Sequence, residues 1–239
     1  MDKTWTRYHK GVFHCQKLLE DKEHDLLYRL AQNWVDWLTT VDDNECFKCH
    51  PPYCIMDVEI KHQLINKLEQ TNIKDELGHW TSVRGAFILK FDSSHAHSMD
   101  IHVDEALESE QVLSVVFTIC SSDCPGGTVI FSNSNDGSNV SYTTDYTARK
   151  CSAYAFYGSF IAHGVKKLKT GVRYSYVLFF NTAKTKREVH SIWSQSNKFE
   201  EYKIRCECCF KWYANKVALR KHELRYHKHN TLPTTHSKG

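Results

Sequence analysis

His163-Gly-Val-Lys-Lys-Leu-Lys-Thr-Gly-Val-Arg-Tyr-Ser-Tyr-Val-Leu-Phe-Phe180 is the stretch on which the fold turns. From Val172 onward it is apolar, β-branched or aromatic at nearly every position, which predicts a strand. Arg173 lies inside that strand, ten residues after His163. A planar guanidinium grips a carboxylate through two parallel hydrogen bonds, where a lysine offers a point charge.

Working outward toward the N-terminus, His102-Val103-Asp104 stands between two further predicted strands, Gly85 to Phe91 and Val112 to Ile119. Ser93 to Ser98 is polar, which places the motif where a loop enters a strand. Asp123-Cys-Pro-Gly-Gly-Thr-Val-Ile-Phe131 supplies a tight turn, read as a hairpin, and a strand from Thr128. Ser152 to Tyr157 predicts another strand just before His163. His-x-Asp by itself proves little, since 15 histidines in 239 residues yield about one such pair by chance. Its setting carries the weight. Two imidazoles and one carboxylate on one face of an iron leave other positions open for a bidentate ligand and dioxygen.

The order strand, His-x-Asp, strand, Gly-Gly turn, strands, His and then Gly-x-Arg resembles the prolyl-4-hydroxylase-like branch of the Fe(II)/2-oxoglutarate-dependent dioxygenases. His163-Gly-Val165 followed by Gly171-Val-Arg173 matches that family in type and spacing. The resemblance covers roughly residues 80 to 182. It implies a mainly β fold with flanking helices, a double-stranded β-helix of jelly-roll type. It also implies iron bound by His102, Asp104 and His163, and Arg173 paired with the distal carboxylate of 2-oxoglutarate. The implied reaction couples oxidative decarboxylation of that cosubstrate to hydroxylation of a C–H bond, on a protein side chain of the Pro or Lys type, with ascorbate admitted as an accessory reductant. The segment Phe91 to Ile101 departs from the family in lacking its tyrosine and glycine, and it adds His95 and His97 without an assigned task. Oxidative demethylases of nucleic acid within the same chemistry carry a second arginine six residues after the first, and that place is Phe179 here.

At the C-terminus, Cys206-x2-Cys209-x12-His222-x4-His227 has the spacing of a Cys2His2 zinc finger, a small ββα unit. Tyr213 and Leu219 stand where its apolar core is needed, Cys208 is a competing ligand, and His229 could replace His227. If His222 marks the seventh helical position, as in that family, the base-reading places fall on Asn215, Ala218 and Lys221. Asn suits adenine, Lys suits guanine, and Ala offers a small apolar contact. One finger spans about three base pairs and alone reads weakly. Residues 203 to 239 hold nine Lys or Arg and two Glu, net +7, which leaves −4 of the total +3 for residues 1 to 202. A basic tail on a mildly acidic body suits phosphate or an acidic partner. A zinc module that only packs or solubilises the end satisfies the same residues.

The composition, 41% apolar and 13% aromatic, suffices for one sizeable core and a small satellite. No internal repeat is visible, no apolar run is long enough to span a bilayer, and Met1 to Lys10 lacks a signal-peptide core. The expectation is an intracellular protein of cytoplasm or nucleus. Ten cysteines without a secretion signal fit a reducing compartment, which argues against a collagen-modifying enzyme of the secretory pathway.

Leu18, Leu19, Leu26, Leu27, Leu30 and Trp34 recur at helical spacings, predicting a helix from Leu18 to Trp37, with a second over Val58 to Leu68. Both should cover the outside of the sheet. Between them Cys46, Cys49, His50 and Cys54 are the right atom types for a second zinc or simply reduced thiols in a loop. The expected domains are a helical support region at 1–79, a catalytic core at 80–182, a linker at 183–202, a zinc finger at 203–230 and a disordered tail at 231–239. A non-catalytic zinc-finger binding protein on a jelly-roll scaffold is the rival from another functional class.

Overall fold

The computed structural model describes residues 3–9, 11–39, 50–104, 111–120, 127–132, 142–146, 149–184, 188–189, 204–205, 212–213 and 222. Eleven strands build two facing sheets. They are β1 (Thr6–His9), β2 (Val12–Cys15), β3 (Tyr53–Ile55), β4 (Trp80–Asp92), β5 (Met99–His102), β6 (Gln111–Cys120), β7 (Val129–Ser132), β8 (Tyr142–Tyr146), β9 (Ala153–Tyr157), β10 (Ala162–Val165) and β11 (Val172–Thr182). The larger sheet runs β1-β2-β9-β6-β11-β4-β3 and the smaller β5-β10-β7-β8. From β4 onward the chain passes repeatedly from one sheet to the other, which is the winding of a jelly roll. Every pairing in the two sheets is antiparallel.

The strands on either side of the expected Gly-Gly hairpin do not pair with each other. β6 belongs to the larger sheet, whereas β7 pairs with β10 and β8 in the smaller. Gly127, with φ at +58°, takes the left-handed conformation at this change of sheet. Turn chemistry reports that the chain bends, and the partner of the next strand is a long-range matter.

β11 lies between β4 and β6, and alternation along these strands sorts the side chains onto two faces. Ser175, Val177 and Phe179 face the smaller sheet with Phe87, Leu89 and Phe91 of β4, Ser114 and Val116 of β6, and Tyr154 and Phe156 of β9. Tyr174 and Tyr176 face the other way. The Tyr174 ring stacks on Trp37 at 6.0 Å, and the Tyr176 hydroxyl donates to the Leu27 carbonyl at 2.7 Å. Helices α1 (Asp21–Gln32), α2 (Val58–Glu69) and α3 (Ile73–Leu77) complete the support.

Helix α1 is shorter than the apolar spacing predicts. Glu20 and Glu23 form a reciprocal capping box that starts it at Asp21. Leu18 and Leu19 are buried ahead of it, both backbone N–H groups donating to the Cys151 carbonyl. Trp34 and Trp37 follow its end, and Leu38 bridges to Tyr53. Apolar spacing recorded burial, while the cap set the boundary. Helix α2 follows the prediction, with Asp57 capping Glu59 and Ile60 and with Leu64 and Leu68 buried. Residues 3–79 supply strands as well as helices, because β1, β2 and β3 extend both edges of the larger sheet.

In the C-terminal region β12 (Ile204–Arg205) and β13 (Trp212–Tyr213) pair antiparallel. Cys206, Cys209, His227, the alternatives Cys208 and His229, and the base-reading candidates Asn215, Ala218 and Lys221 lie outside the described residues, as do Cys46 and Cys49. Among the described residues no helix is long and apolar enough to cross a membrane.

Candidate metal centre

His102 ends β5, Asp104 follows two residues on, and His163 is paired with His102 across the β5–β10 ladder. The motif thus lies where a strand ends rather than where one begins. The polar run before it forms a 3-10 turn at Ser93–His95 and then enters β5. Ring centroids of His102 and His163 are 4.4 Å apart, and their Nε2 atoms lie 3.7 and 3.5 Å from Asp104 Oδ1. One ligand atom from each of the three falls within 4.8 Å of the others. That spread suits a single first-row ion with bonds of about 2.0–2.2 Å after slight contraction.

The proton positions follow from the hydrogen bonds. His102 Nδ1 is 2.8 Å from the Asp100 carbonyl and His163 Nδ1 is 2.8 Å from the Ile161 carbonyl. A carbonyl only accepts, so each Nδ1 carries a hydrogen, which leaves the Nε2 that faces Asp104 as the nitrogen of each ring able to take a metal. Burial and the neighbouring His163 lower the His102 pKa against the pull of Asp104, which favours the neutral ring a metal needs. Burial opposes ionisation of Asp104, yet positive charge and hydrogen bonding from the facing imidazoles, when they are protonated, outweigh it and hold the carboxyl well below its usual range. The donor set, two imidazoles and a carboxylate, fits a divalent ion such as Fe(II).

Three neighbours that the sequence reading did not single out support the triad. Ser114 Oγ donates to Asp104 Oδ2 at 2.5 Å, and Asp104 N donates to the Gly158 carbonyl at 2.8 Å. Phe156 packs edge-on against His163 at 4.5 Å. A hydroxyl in the largely apolar run of β6, a feature Thr118 shares, was the one available signal for Ser114. Gly158 gave none.

The triad opens onto a cavity of about 160 Å3 between the sheets, walled mainly by apolar side chains such as Phe87, Leu89, Val116, Val129 and Val177. Arg173 lies on the cavity-facing side of β11, 2% exposed. Its guanidinium sits 4.8 Å from the ring centre of Phe91, a cavity wall, and NH1 donates to the Gly127 carbonyl. Phe179 also lines the cavity. His95 and His97 form no part of the metal cluster. They stack at 5.3 Å, and His97 accepts a hydrogen bond from Asp92 N, closing the turn before β5. Cys54 is turned into the core, where burial pushes its thiol up to about 11, so it is a poor candidate for a second zinc.

No protein-family model matches the chain, and no curated protein matches it in sequence. Solved structures match its fold. A non-haem 2-oxoglutarate-dependent carbocyclase, SnoK from nogalamycin biosynthesis, is 11% identical over 82% of this chain and 90% of its own, with a TM-score of 0.55. A prolyl hydroxylase from Trichoplax adhaerens, in complex with a peptide fragment of the hypoxia inducible factor oxygen degradation domain, is 14% identical over 79% and 88%, with a TM-score of 0.53. HygX from Streptomyces hygroscopicus, with nickel and 2-oxoglutarate bound, is 11% identical over 72% and 83%, also at 0.53. At such identities the likeness establishes a shared fold.

Proposed function

We propose that the chain is an Fe(II)- and 2-oxoglutarate-dependent dioxygenase that hydroxylates a protein side chain of the Pro or Lys type. The observation that carries this is the convergence of His102, Asp104 and His163, with both Nδ1 atoms committed to backbone carbonyls, at one end of an apolar cavity. Iron held there would supply activation of dioxygen, coupled to decarboxylation of 2-oxoglutarate. His102 and His163 present fixed lone pairs, and Asp104 supplies the balancing negative charge. Arg173, on the same cavity-facing side of β11, is proposed to hold the far carboxylate of 2-oxoglutarate. The apolar walls exclude water from the reacting atoms.

A peptide-bound prolyl hydroxylase among the fold neighbours supports a protein substrate. Phe179, apolar and in the cavity wall, supplies no second cation and so weighs against the nucleic-acid demethylase reading. For residues 203–230 we propose a zinc finger held by Cys206, Cys209, His222 and His227 for contact with a partner or with nucleic acid. The pairing of β12 with β13 on either side of Cys206 and Cys209, and the burial of His222, support it.

The anaerobic visible spectrum after adding Fe(II) and then 2-oxoglutarate tests the oxygenase reading. A charge-transfer band is expected for the wild type, absent in Asp104→Ala and requiring at least about tenfold more cosubstrate in Arg173→Ala. A folded wild-type protein without the band would leave the non-catalytic binding module as the reading.

A further inference from the structure

Asp104 is gripped on one oxygen only. Its Oδ1 faces both imidazoles, at 3.7 and 3.5 Å, while Oδ2 accepts the Ser114 hydroxyl at 2.5 Å. Ser114 is 1% exposed and lies opposite Phe156 of β9 and Phe179 of β11. From below, the carboxylate rests on the bare Cα of Gly158. A Cβ there would stand 1.7 Å from Asp104 Oδ2, 2.7 Å from its Cγ and 2.2 Å from Ser114 Oγ. The backbone of Asp104 is fixed to the same residue by its 2.8 Å hydrogen bond to the Gly158 carbonyl.

We infer that Ser114 and Gly158 are positioning residues that restrict Asp104 to a single metal-facing oxygen, an inference that rests on the triad being an iron site. A carboxylate can bind a metal through one oxygen or two. For Oδ2 to join Oδ1 the carboxylate must shift toward the two imidazoles, which draws Oδ2 away from Ser114 and weakens the hydrogen bond that satisfies the buried hydroxyl. An iron held by His102, His163 and one oxygen of Asp104 would keep three positions open, two for a chelating 2-oxo acid and one for dioxygen. A second carboxylate oxygen would take one of those three. Ser114 therefore acts on the number of open positions, and Gly158 provides the space in which the restrained carboxylate fits.

The effect separates metal affinity from cosubstrate affinity. Co(II) binding, read by competition with a chelator, and binding of 2-oxoglutarate to the Co(II)-loaded protein are measured for wild type, Ser114→Ala, Ser114→Thr and Asp104→Ala, with thermal melting as the check on folding. Ser114→Ala removes only the hydroxyl and leaves a smaller side chain. It is expected to keep Co(II) affinity within about tenfold, because the freed oxygen can bind the metal, while 2-oxoglutarate affinity falls at least about tenfold. Ser114→Thr, which retains the hydroxyl, is expected to restore most of that loss. Unchanged affinities for both ligands in Ser114→Ala would overturn the inference. So would a collapse of Co(II) affinity with 2-oxoglutarate binding intact at saturating metal, which would mark Ser114 as mere support for the carboxylate. If the wild type binds no Co(II) that Asp104→Ala abolishes, the iron-site reading itself falls, and this inference with it.

Discussion

At the scale of single residues, the site is assembled by atoms that have no alternative place to go. Each imidazole is pinned by a carbonyl two residues earlier in its own chain, a purely local contact. The closeness of the two rings depends on Gly164 beside His163. A Cβ at Gly164 would stand 2.8 Å from the Met99 carbonyl oxygen and 3.1 Å from Ile101 N, both backbone atoms of β5 that cannot swing aside. Gly164→Ala is therefore expected to force β5 away from β10, costing about 1–3 kcal/mol of stability and separating His102 from His163. Urea unfolding together with Co(II) affinity would check this, and a variant with wild-type values in both would contradict it.

At the scale of elements, α1 is fastened to the sheet by buried polar contacts as well as by packing. His24 is 1% exposed, and its Nε2 accepts the Cys120 backbone N–H at 3.1 Å where β6 ends. Cys120 is the cross-strand partner of Arg173, so this contact braces the end of the barrel that carries the arginine. Burial foremost, with the charge of Lys150, lowers the His24 pKa against the opposing pull of Asp25. Protonation would also convert the accepting Nε2 into a second donor aimed at an N–H. Because the folded pKa lies below the unfolded one, the unfolded chain takes up the proton first. The stability His24 contributes is present above the ordinary histidine range and is lost as pH falls through about 6.5 toward the folded value. His24→Gln, which cannot titrate, should show a smaller drop in unfolding free energy between about pH 7.5 and about pH 5.5 than the wild type. Equal drops would assign the acid sensitivity to other groups.

At the scale of the whole molecule, the two sheets meet through a layer of rings, with Phe131 edge-on to Phe156 at 5.1 Å and Phe156 edge-on to His163 at 4.5 Å. The candidate metal centre is thus continuous with the core that holds the sheets together. The proposed finger stands apart in sequence and charge, net +7 over residues 203 to 239. Zinc binding and the oxygenase site should accordingly be separable. Cys206→Ser is expected to remove one zinc per chain, by elemental analysis, while the anaerobic iron and 2-oxoglutarate spectrum stays within about twofold of wild type in intensity. Loss of that spectrum would show that the tail is required to build the site.

The sequence by itself determined the strands that carry the site and the residues that converge there. Val172–Thr182 and Gln111–Cys120 are rich in apolar, β-branched and aromatic residues because their strands are largely buried on both faces, and His102, Asp104 and His163 could be picked out by residue type and spacing. Such signals are local, and a local pattern survives in a one-dimensional string. Only the tertiary structure decided that β6 and β7 part into different sheets and that Arg173 shares the cavity face with Val177 and Phe179. It alone brought Ser114, ten residues from Asp104, and Gly158, in a different strand connection, against one carboxylate. Those contacts are set by register between strands distant in the chain, and register is fixed by burial of whole faces rather than by any neighbouring residue.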